Sequence, residues 1–143
     1  MRTRTLLFIM IVAVAVGIAA YVWSESDRSL ANANDLPVKE SITASALLDA
    51  FTLDETVANA RFVGAEEQVI QVSGTIRAME PVDEGHTNLI LETGNDLAGV
   101  VCEFANDDLD PNWRSGANAR VNGFCTGLLL DVVLVRCTAA PSK

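Results

Sequence analysis

The segment GFCTGLLLDVVLVRC, Gly123–Cys137, decides the fold that this sequence predicts. It carries apolar and β-branched runs on either side of a turn near Leu128 and Leu129, which is the pattern of two consecutive β-strands. A redox site is disfavoured because no Cys-x-x-Cys motif is present to lower a thiol pKa. A zinc site is disfavoured because zinc requires four ligands, mostly nitrogen or sulfur, at short spacing. We therefore interpret the segment as the last hairpin of a small β-barrel.

Further strand-like runs lie upstream, and each is bounded by turn-forming residues. Counted with the hairpin, five strands are predicted at Gln68–Ile76, Thr87–Glu92, Gly99–Phe104, Ala119–Cys125 and Asp131–Cys137. The connection ANDDLDPNWRSG between the third and fourth runs suits a short helix or a loop. Five short strands with a break after the third predict an OB-type Greek-key barrel, whose closure removes exposed strand edges. A plain five-stranded sheet packed on a helix is the alternative.

An amphipathic helix precedes the strands. Apolar residues recur at spacings of three, four and seven, as on one face of a helix: Leu47, Leu48, Phe51, Val57, Ala58 and Phe62. The helix is expected to break near residues 52–54 and to stop at Gly64. The predicted fold class is therefore mainly β, a five-stranded OB-fold barrel preceded by an α-helix, within residues 42–139.

The N-terminal segment contains eighteen consecutive uncharged residues, from Leu6 to Trp23. A helix of that length spans roughly 27 Å, close to the hydrocarbon core of a bilayer. We interpret residues 1–23 as a transmembrane signal-anchor helix, with Leu6 and Trp23 as membrane-anchor residues, and residues 24–41 as a flexible linker. A cleaved secretory signal with a small-x-small site at residues 31–33 is the competing interpretation.

The charges that flank this run predict its orientation. Arg2 and Arg4 precede it, whereas Glu25 and Asp27 follow it, so the positive-inside rule holds the N-terminus in the cytoplasm. The expected localisation is the inner (cytoplasmic) membrane, crossed once, with the domain facing the periplasm or the exterior. Both interpretations of the segment export the domain.

The charge balance disfavours nucleic acid as a partner. The chain has ten basic and nineteen acidic side chains, a formal net charge of −9. Without Arg2 and Arg4, which lie before the apolar run, eight basic side chains face nineteen acidic ones, a net charge of −11. Such a surface repels phosphate backbones, whereas domains that bind nucleic acid usually carry a basic patch.

Three cysteines, Cys102, Cys125 and Cys137, are the disulfide candidates. Disulfides persist outside the cytoplasm, and three cysteines permit one bridge with one thiol left over. A bridge between Cys125 and Cys137 closes a loop of about thirteen residues, which stabilises a domain by roughly 2–3 kcal/mol. We favour that pair. A bridge between Cys102 and Cys137, or three reduced and buried thiols, are the open alternatives.

The sequence predicts no catalytic residue, no metal site and no cofactor. Asp108, Asp110 and Asn112 resemble the opening of a calcium loop, but the required Gly and the closing Glu are absent. His86 beside Glu84 has no activated nucleophile to accompany it, and no phosphate-cradling glycine loop occurs. The chain is therefore not expected to be an enzyme.

Three segments, DETVANARFVGAEEQVIQVSGTI, GVVCEF and GANARVNGFCTGLLLDVVLVRC, resemble the tRNA_anti-like family of OB-fold proteins. The matching positions are Asp54, Glu55, Ala58, Asn59, Phe62, Gly64, Gly74, Cys102, Gly116, Gly123, Cys125, Gly127, Asp131 and Cys137. The chain departs from typical members because it has no lipid-attachment cysteine, and Ala65 stands where a Lys is often seen. The resemblance implies a small exported OB domain, and it implies nucleic acid binding only by analogy of fold.

The predicted function is that of a non-enzymatic, membrane-anchored, extracytoplasmic binding module. OB barrels bind ligands on their second and third strands and on adjoining loops. The predicted ligand-binding face is therefore Arg77, Asn88, Glu103, Phe104 and Trp113. Candidate partners are an envelope protein, a peptide or an oligosaccharide. The alternative is single-stranded nucleic acid on the same face, which would require basic side chains interleaved with exposed aromatic ones.

Overall fold

The computed structural model describes residues 2–26 and 31–141, with side chains for residues 10–23 and 31–141. The chain divides into two compact units, Met1–Leu30 and Ala31–Lys143. One helix makes up the described part of the first unit, and the second unit holds a β-barrel.

Helix α1, Arg2–Ser26, contains the uncharged N-terminal run. Its described side chains, from Met10 to Trp23, are exposed, and Trp23 is 80% exposed. The side chain of Leu6, the other predicted anchor residue, lies outside the described residues. Among the described residues, no helix has both the length and the apolar character needed for a membrane crossing.

The described part of the second unit contains six strands and two short α-helices. In chain order they are β1 (Val38–Thr43), α2 (Ala44–Leu53), α3 (Glu55–Ala58), β2 (Val69–Pro81), β3 (His86–Leu91), β4 (Val100–Ala105), β5 (Asn118–Leu128) and β6 (Val132–Ala139). A π-helical turn, Asn59–Val63, follows α3, and a 3-10 turn, Asn106–Asp108, follows β4. The predicted connection between β4 and β5 is thus a loop with one short helical turn.

Five of these strands close into a barrel. The hydrogen-bonded order is β2-β3-β4-β6-β5, and β5 pairs again with β2. The pairs are antiparallel except for β4 and β6, which run parallel. The predicted five-stranded OB-type barrel is confirmed, and the alternative of a plain open sheet is excluded by the pairing of β2 with β5.

Strand β2 is long because it pairs with two different strands of the barrel. Its first part, Ile70–Thr75, pairs with β5, and its second part, from Ile76 to Pro81, pairs with β3. A shift in register between Ile76 and Ala78 marks the change of partner. A bulge of this kind bends the strand, which allows the sheet to curve round on itself.

Strand β1 is an addition that the sequence did not predict. It runs parallel to the first part of β2, with Ser41 opposite Gln71 and Thr43 opposite Ser73. Most of β1 lies in the range 24–41 that the composition indicates as a linker, so the folded unit begins earlier than residue 42. Just before it, Ala33 is 1% exposed and packs with Val69 and Phe124 outside the main core.

The helical segment before β2 follows the predicted pattern. Thr43 caps α2, because its hydroxyl accepts a hydrogen bond from Ala46 N at 3.2 Å. The predicted break occurs at Asp54, whose carboxylate accepts from Val57 N at 3.0 Å and so caps α3. Gly64 ends the segment with a φ of 69°. Five of the six predicted apolar residues join the core, Leu47, Leu48, Phe51, Ala58 and Phe62, whereas Val57 is 61% exposed.

The three cysteines are free thiols buried in the barrel core. The predicted Cys125–Cys137 disulfide is therefore wrong for this structure, and Cys102 and Cys137 are not bridged either. The register explains the first result: Cys125 lies opposite Leu134, three residues before Cys137 on the neighbouring strand. Burial, together with a hydrogen bond to Cys102, raises the pKa of Cys137 well above its ordinary value. Burial raises the pKa of Cys125 to about 11.

We expect all three thiols to be unreactive in the folded protein and all three to react after denaturation. Thiolate is the reactive form. Burial keeps reagents away from all three thiols, and the raised pKa values of Cys125 and Cys137 keep their thiolate populations small near neutral pH. Thiol titration with and without guanidinium, under non-reducing conditions, measures this, with a denatured and reduced sample as the reference. A count of one thiol after denaturation would contradict the structure and restore a disulfide.

Gly123 lies where β5 passes closest to the buried thiol of Cys137, and a glycine is required there because no side chain fits. A Cβ at this position would lie 2.7 Å from Cys137 Sγ and 3.2 Å from Leu134 Cβ. We expect Gly123→Ala to destabilise the barrel by about 1–3 kcal/mol, because the core cannot accommodate the extra atom without strain. Urea denaturation measures the free energy of unfolding.

Gly85→Ala is the matched control, since the nearest atom to its Cβ would be 3.6 Å away. The double variant Gly123→Ala/Cys137→Ala should recover part of the loss, because it removes the sulfur that the new methyl group meets. Equal stabilities for the Gly123 and Gly85 variants would show that the core is not tightly packed here.

Candidate ligand-binding groove

An open groove of about 790 Å³ lies where β1 ends and α2 begins. Its floor is formed by the middle of β2 and the start of β5, and its sides by the β3–β4 loop and the β4–β5 loop. We call it the β2–β5 groove. Its volume falls in the range of small-molecule sites, roughly 300–1,000 Å³.

Hydroxyl groups dominate the polar lining of the β2–β5 groove. They come from four different parts of the fold: Thr43 at the end of β1, Ser45 in α2, Ser73 and Thr75 on β2, and Thr93 after β3. Asn118 and Arg120 of β5 add an amide and a guanidinium. Thr75 Oγ1 donates to Asn118 Oδ1 at 3.1 Å, which joins the two strands across the floor.

The strands of the floor are already paired with each other. Gly74 lies opposite Ala119, and Thr75 lies opposite Asn118. Gly74 also allows α2 to approach β2 closely, because a Cβ there would be 3.2 Å from Ala44 Cβ. The floor therefore presents side chains to a ligand rather than a free strand edge.

Glu92, which lines the groove, forms a bidentate ion pair with Arg77, which is not a lining residue. Arg77 Nε and one terminal nitrogen donate to the two oxygens of Glu92 at 2.8 and 2.7 Å. A terminal nitrogen also donates to the carbonyl of Asn95 at 2.7 Å, which fixes the β3–β4 loop. The hydrogen bond from Arg77 lowers the pKa of Glu92. Arg77 was predicted to contact ligand, but its guanidinium is engaged by Glu92.

Trp113 lines the groove and rests on Phe104. The two rings meet edge to face, with centroids 5.7 Å apart and planes at 84°. Phe104, another of the predicted ligand contacts, is fully buried. Alternation along β4 turns its ring inward, where it supports Trp113. Trp113 is thus held in a fixed position while part of its surface lies in the groove.

Asn88 and Glu103 form a separate surface. They lie directly opposite each other on β3 and β4, with Glu103 exposed and Asn88 half-buried. Neither residue lines the β2–β5 groove. Of the five predicted ligand residues, Trp113 is the one that lines the groove. Asn88 and Glu103 lie on the β3–β4 face, whereas Phe104 lies in the core and Arg77 is paired with Glu92. The groove hydroxyls were missed because single Ser and Thr residues carry no sequence signal, and only strand pairing assembles them.

The electrostatics of the domain are strongly acidic. Residues 31–141 contain six basic and seventeen acidic side chains, a net charge of −11. Three of the arginines are paired with carboxylates: Arg61 with Glu40, Arg77 with Glu92, and Arg136 with Glu67. Within the described residues, no cluster of His, Cys, Asp or Glu has the arrangement of a metal site.

Comparison with known proteins finds a matching family and a solved structure of similar fold. A family model described as tRNA_anti-like matches residues 1–139. A solved structure from Klebsiella pneumoniae subsp. pneumoniae, described as a "putative nucleic acid-binding lipoprotein", is similar in fold with a TM-score of 0.53. The sequences are 15% identical, and the match covers 71% of this chain and 92% of that one. No curated protein matches this sequence.

The pairing of Arg77 with Glu92 predicts a pH-dependent stability. Because the pKa of Glu92 is lower in the folded state, the pair stabilises the fold above the unfolded-state pKa, and this contribution is lost as the pH falls through the folded-state pKa. We expect Glu92→Gln to melt below the wild type at pH 7, and the difference to shrink as the pH falls below about 4, the ordinary range of a Glu pKa.

Melting temperatures of both proteins across this pH range test the expectation. Glu103→Gln is the matched control, since Glu103 is exposed on β4 and outside the described ion pairs. A difference between wild type and Glu92→Gln that persists unchanged at pH 3 would mean that the ion pair does not cause it.

Proposed function

The chain belongs to the tRNA_anti-like family, and from that premise we propose that it is a non-enzymatic, membrane-anchored binding module outside the cytoplasm. Its ligand binds in the β2–β5 groove. The observation that carries this proposal is the groove itself, which combines an open volume of about 790 Å³ with polar groups from several elements and a supported tryptophan. Convergence of polar groups on one cleft is typical of binding sites.

The N-terminal segment supports the anchoring part of the proposal. Eighteen uncharged residues from Leu6 to Trp23 follow Arg2 and Arg4. This order favours a cytoplasmic N-terminus and an exported domain. The periplasm or the cell exterior is then the compartment in which the groove meets its ligand.

A reporter fused after Lys143 tests the location. Alkaline phosphatase requires disulfides that form outside the cytoplasm, so we expect an active fusion in the membrane fraction. Deletion of residues 2–23 should abolish its activity, and a fluorescent reporter that matures in the cytosol is the reciprocal control. An inactive phosphatase fusion with a fluorescent cytosolic one would contradict the proposed location.

Two substitutions to arginine test the groove. Thr75 is exposed on the groove floor, and Asn88 lies on the β3–β4 face. The full chain is crosslinked in cells, and any molecule joined to it is recovered with it under denaturing conditions. We expect Thr75→Arg to abolish this crosslinked species, because the long side chain fills the groove. Asn88→Arg introduces the same charge and should leave that species in place.

Circular dichroism of both variants is the control that checks whether they are folded. The reverse result, with loss in Asn88→Arg alone, would move the site to the β3–β4 face. Retention of the species by both variants would overturn a role for either surface.

Nucleic acid binding is the second candidate function. It is supported by the description of the Klebsiella pneumoniae structure, which is similar in fold. The net charge of −11 and the pairing of three arginines with carboxylates oppose it. A mobility-shift assay at low salt with single-stranded DNA and RNA should show no complex. A retarded band that fades with added salt would favour this second function.

A further inference from the structure

We propose that the β2–β5 groove binds a short neutral oligosaccharide. This inference rests on the proposed function, and it names the chemical class of the ligand. It follows from the polar groups of the groove, from its one aromatic surface and from its charge.

The polar groups of the groove suit a ligand that is rich in hydroxyls. Thr43, Ser45, Ser73, Thr75 and Thr93 each contribute a hydroxyl, and a hydroxyl both donates and accepts hydrogen bonds. Thr75 and Thr93 already donate to Asn118 Oδ1 and to the Ala98 carbonyl, so each can accept from a sugar hydroxyl, which donates as readily as it accepts. Carboxylates of Glu92 and Asp110 add acceptors, and Asn118 adds an amide. The five hydroxyls come from β1, α2, β2 and the β3–β4 loop, so the fold assembles them.

Trp113 supplies the apolar surface that a sugar ring requires. Pyranose rings expose C–H groups on their faces, and an aromatic side chain offers a flat apolar body with a polar N–H. The edge-to-face contact with Phe104 at 5.7 Å holds the indole in place. The backbone N of Trp113 also donates to Asp110 O at 3.1 Å, which joins two lining residues. The tryptophan is therefore positioned before the ligand arrives, which lowers the entropic cost of binding.

The rest of the apolar lining argues against a ligand with large apolar side chains. Apart from Trp113 it consists of Ala44, Gly74, Gly94, Ala119 and Ala140. None of these residues forms a deep apolar pocket. A peptide bound by strand addition is also disfavoured, because Gly74 and Thr75 already pair with β5 on the groove floor.

The charge of the groove argues against a polyanion. Glu92 and Asp110 oppose Arg120 in the lining, and the surrounding domain is acidic. A phosphate backbone would have to bring its charges next to these carboxylates. A neutral sugar brings no charge and uses the same carboxylates as hydrogen-bond acceptors.

Tryptophan fluorescence tests the proposal in the full chain. The chain has two tryptophans, Trp23 and Trp113, so Trp23→Phe leaves Trp113 as the only reporter. The protein is kept in a detergent without a sugar headgroup. The probes are N-acetylchitotriose, cellotriose and maltotriose, with a ten-residue oligothymidylate and a Lys-Ala pentapeptide as probes of the other classes.

We expect a saturable change in Trp113 fluorescence with at least one trisaccharide at concentrations up to about 10 mM. Thr75→Val removes a groove hydroxyl and should raise the Kd about 2- to 12-fold, the loss of one hydrogen bond. Thr126→Val is the matched control, because Thr126 is also an exposed threonine of a barrel strand but lies outside the groove. It should leave the Kd unchanged. Thr75→Val keeps the side-chain volume at an exposed position, so the fold should not change. Ser45→Ala removes a second groove hydroxyl, on α2, and tests the same expectation independently.

The outcomes separate this inference from the proposed function. No response to any of the trisaccharides, or equal Kd values for all four proteins, overturns the saccharide assignment. A saturable response to the oligonucleotide or the peptide instead would overturn it while leaving the groove as a binding site. If no probe changes the fluorescence of Trp113 and Thr75→Arg retains the crosslinked species in cells, both the saccharide assignment and the proposed role of the groove are overturned.

Discussion

Pairing of β2 with β5 is the constraint on which the rest of this structure depends. Without it, the five strands would form an open sheet with two exposed edges. Closure requires the first part of β2 to pair with β5 and its second part to pair with β3. The shift in register between Ile76 and Ala78 makes this change of partner possible. The interior that results is filled by side chains from every strand of the barrel. It is narrow enough that Gly123 passes directly over Cys137.

The elements before the barrel turn this closed fold into one with a groove. Strand β1 adds to the free side of β2, and α2 begins where β1 ends, capped by Thr43. Because Gly74 has no side chain, the start of α2 can lie against β2. The groove is the space left beside this contact, bordered by loops that Arg77 and Trp113 help to hold. Its shape therefore depends on residues that are distant in sequence, and no single segment encodes it.

The acidic surface and the groove lead to the same class of ligand. Three arginines that could have contacted phosphates are paired with carboxylates. The groove offers mainly hydroxyl, amide and carboxylate groups and one aromatic surface. Family membership and the similarity to the Klebsiella pneumoniae structure establish the fold, and fold alone does not determine the ligand. The proposal of a neutral oligosaccharide therefore rests on the side chains of this chain.

Sequence patterns gave reliable access to the features that depend on local periodicity. The five barrel strands, the broken helix with its stop at Gly64, and the family were all predicted, because alternation, helical spacing and turn residues are properties of short segments. Strand β1 was not predicted, because its sequence VKESIT is short and charged and its strand conformation depends on pairing with β2. The disulfide prediction failed because compartment and cysteine number do not specify register.

What the sequence determined by itself is the order of the elements, the acidic charge and the uncharged N-terminal run. What only the tertiary structure decided is which side chains meet: Phe104 beneath Trp113, Glu92 with Arg77, and five scattered hydroxyls in one groove. The physical reason is that hydrophobic periodicity is a property of short segments of the chain. A binding site instead depends on strand register and barrel closure, which bring together residues far apart in the sequence.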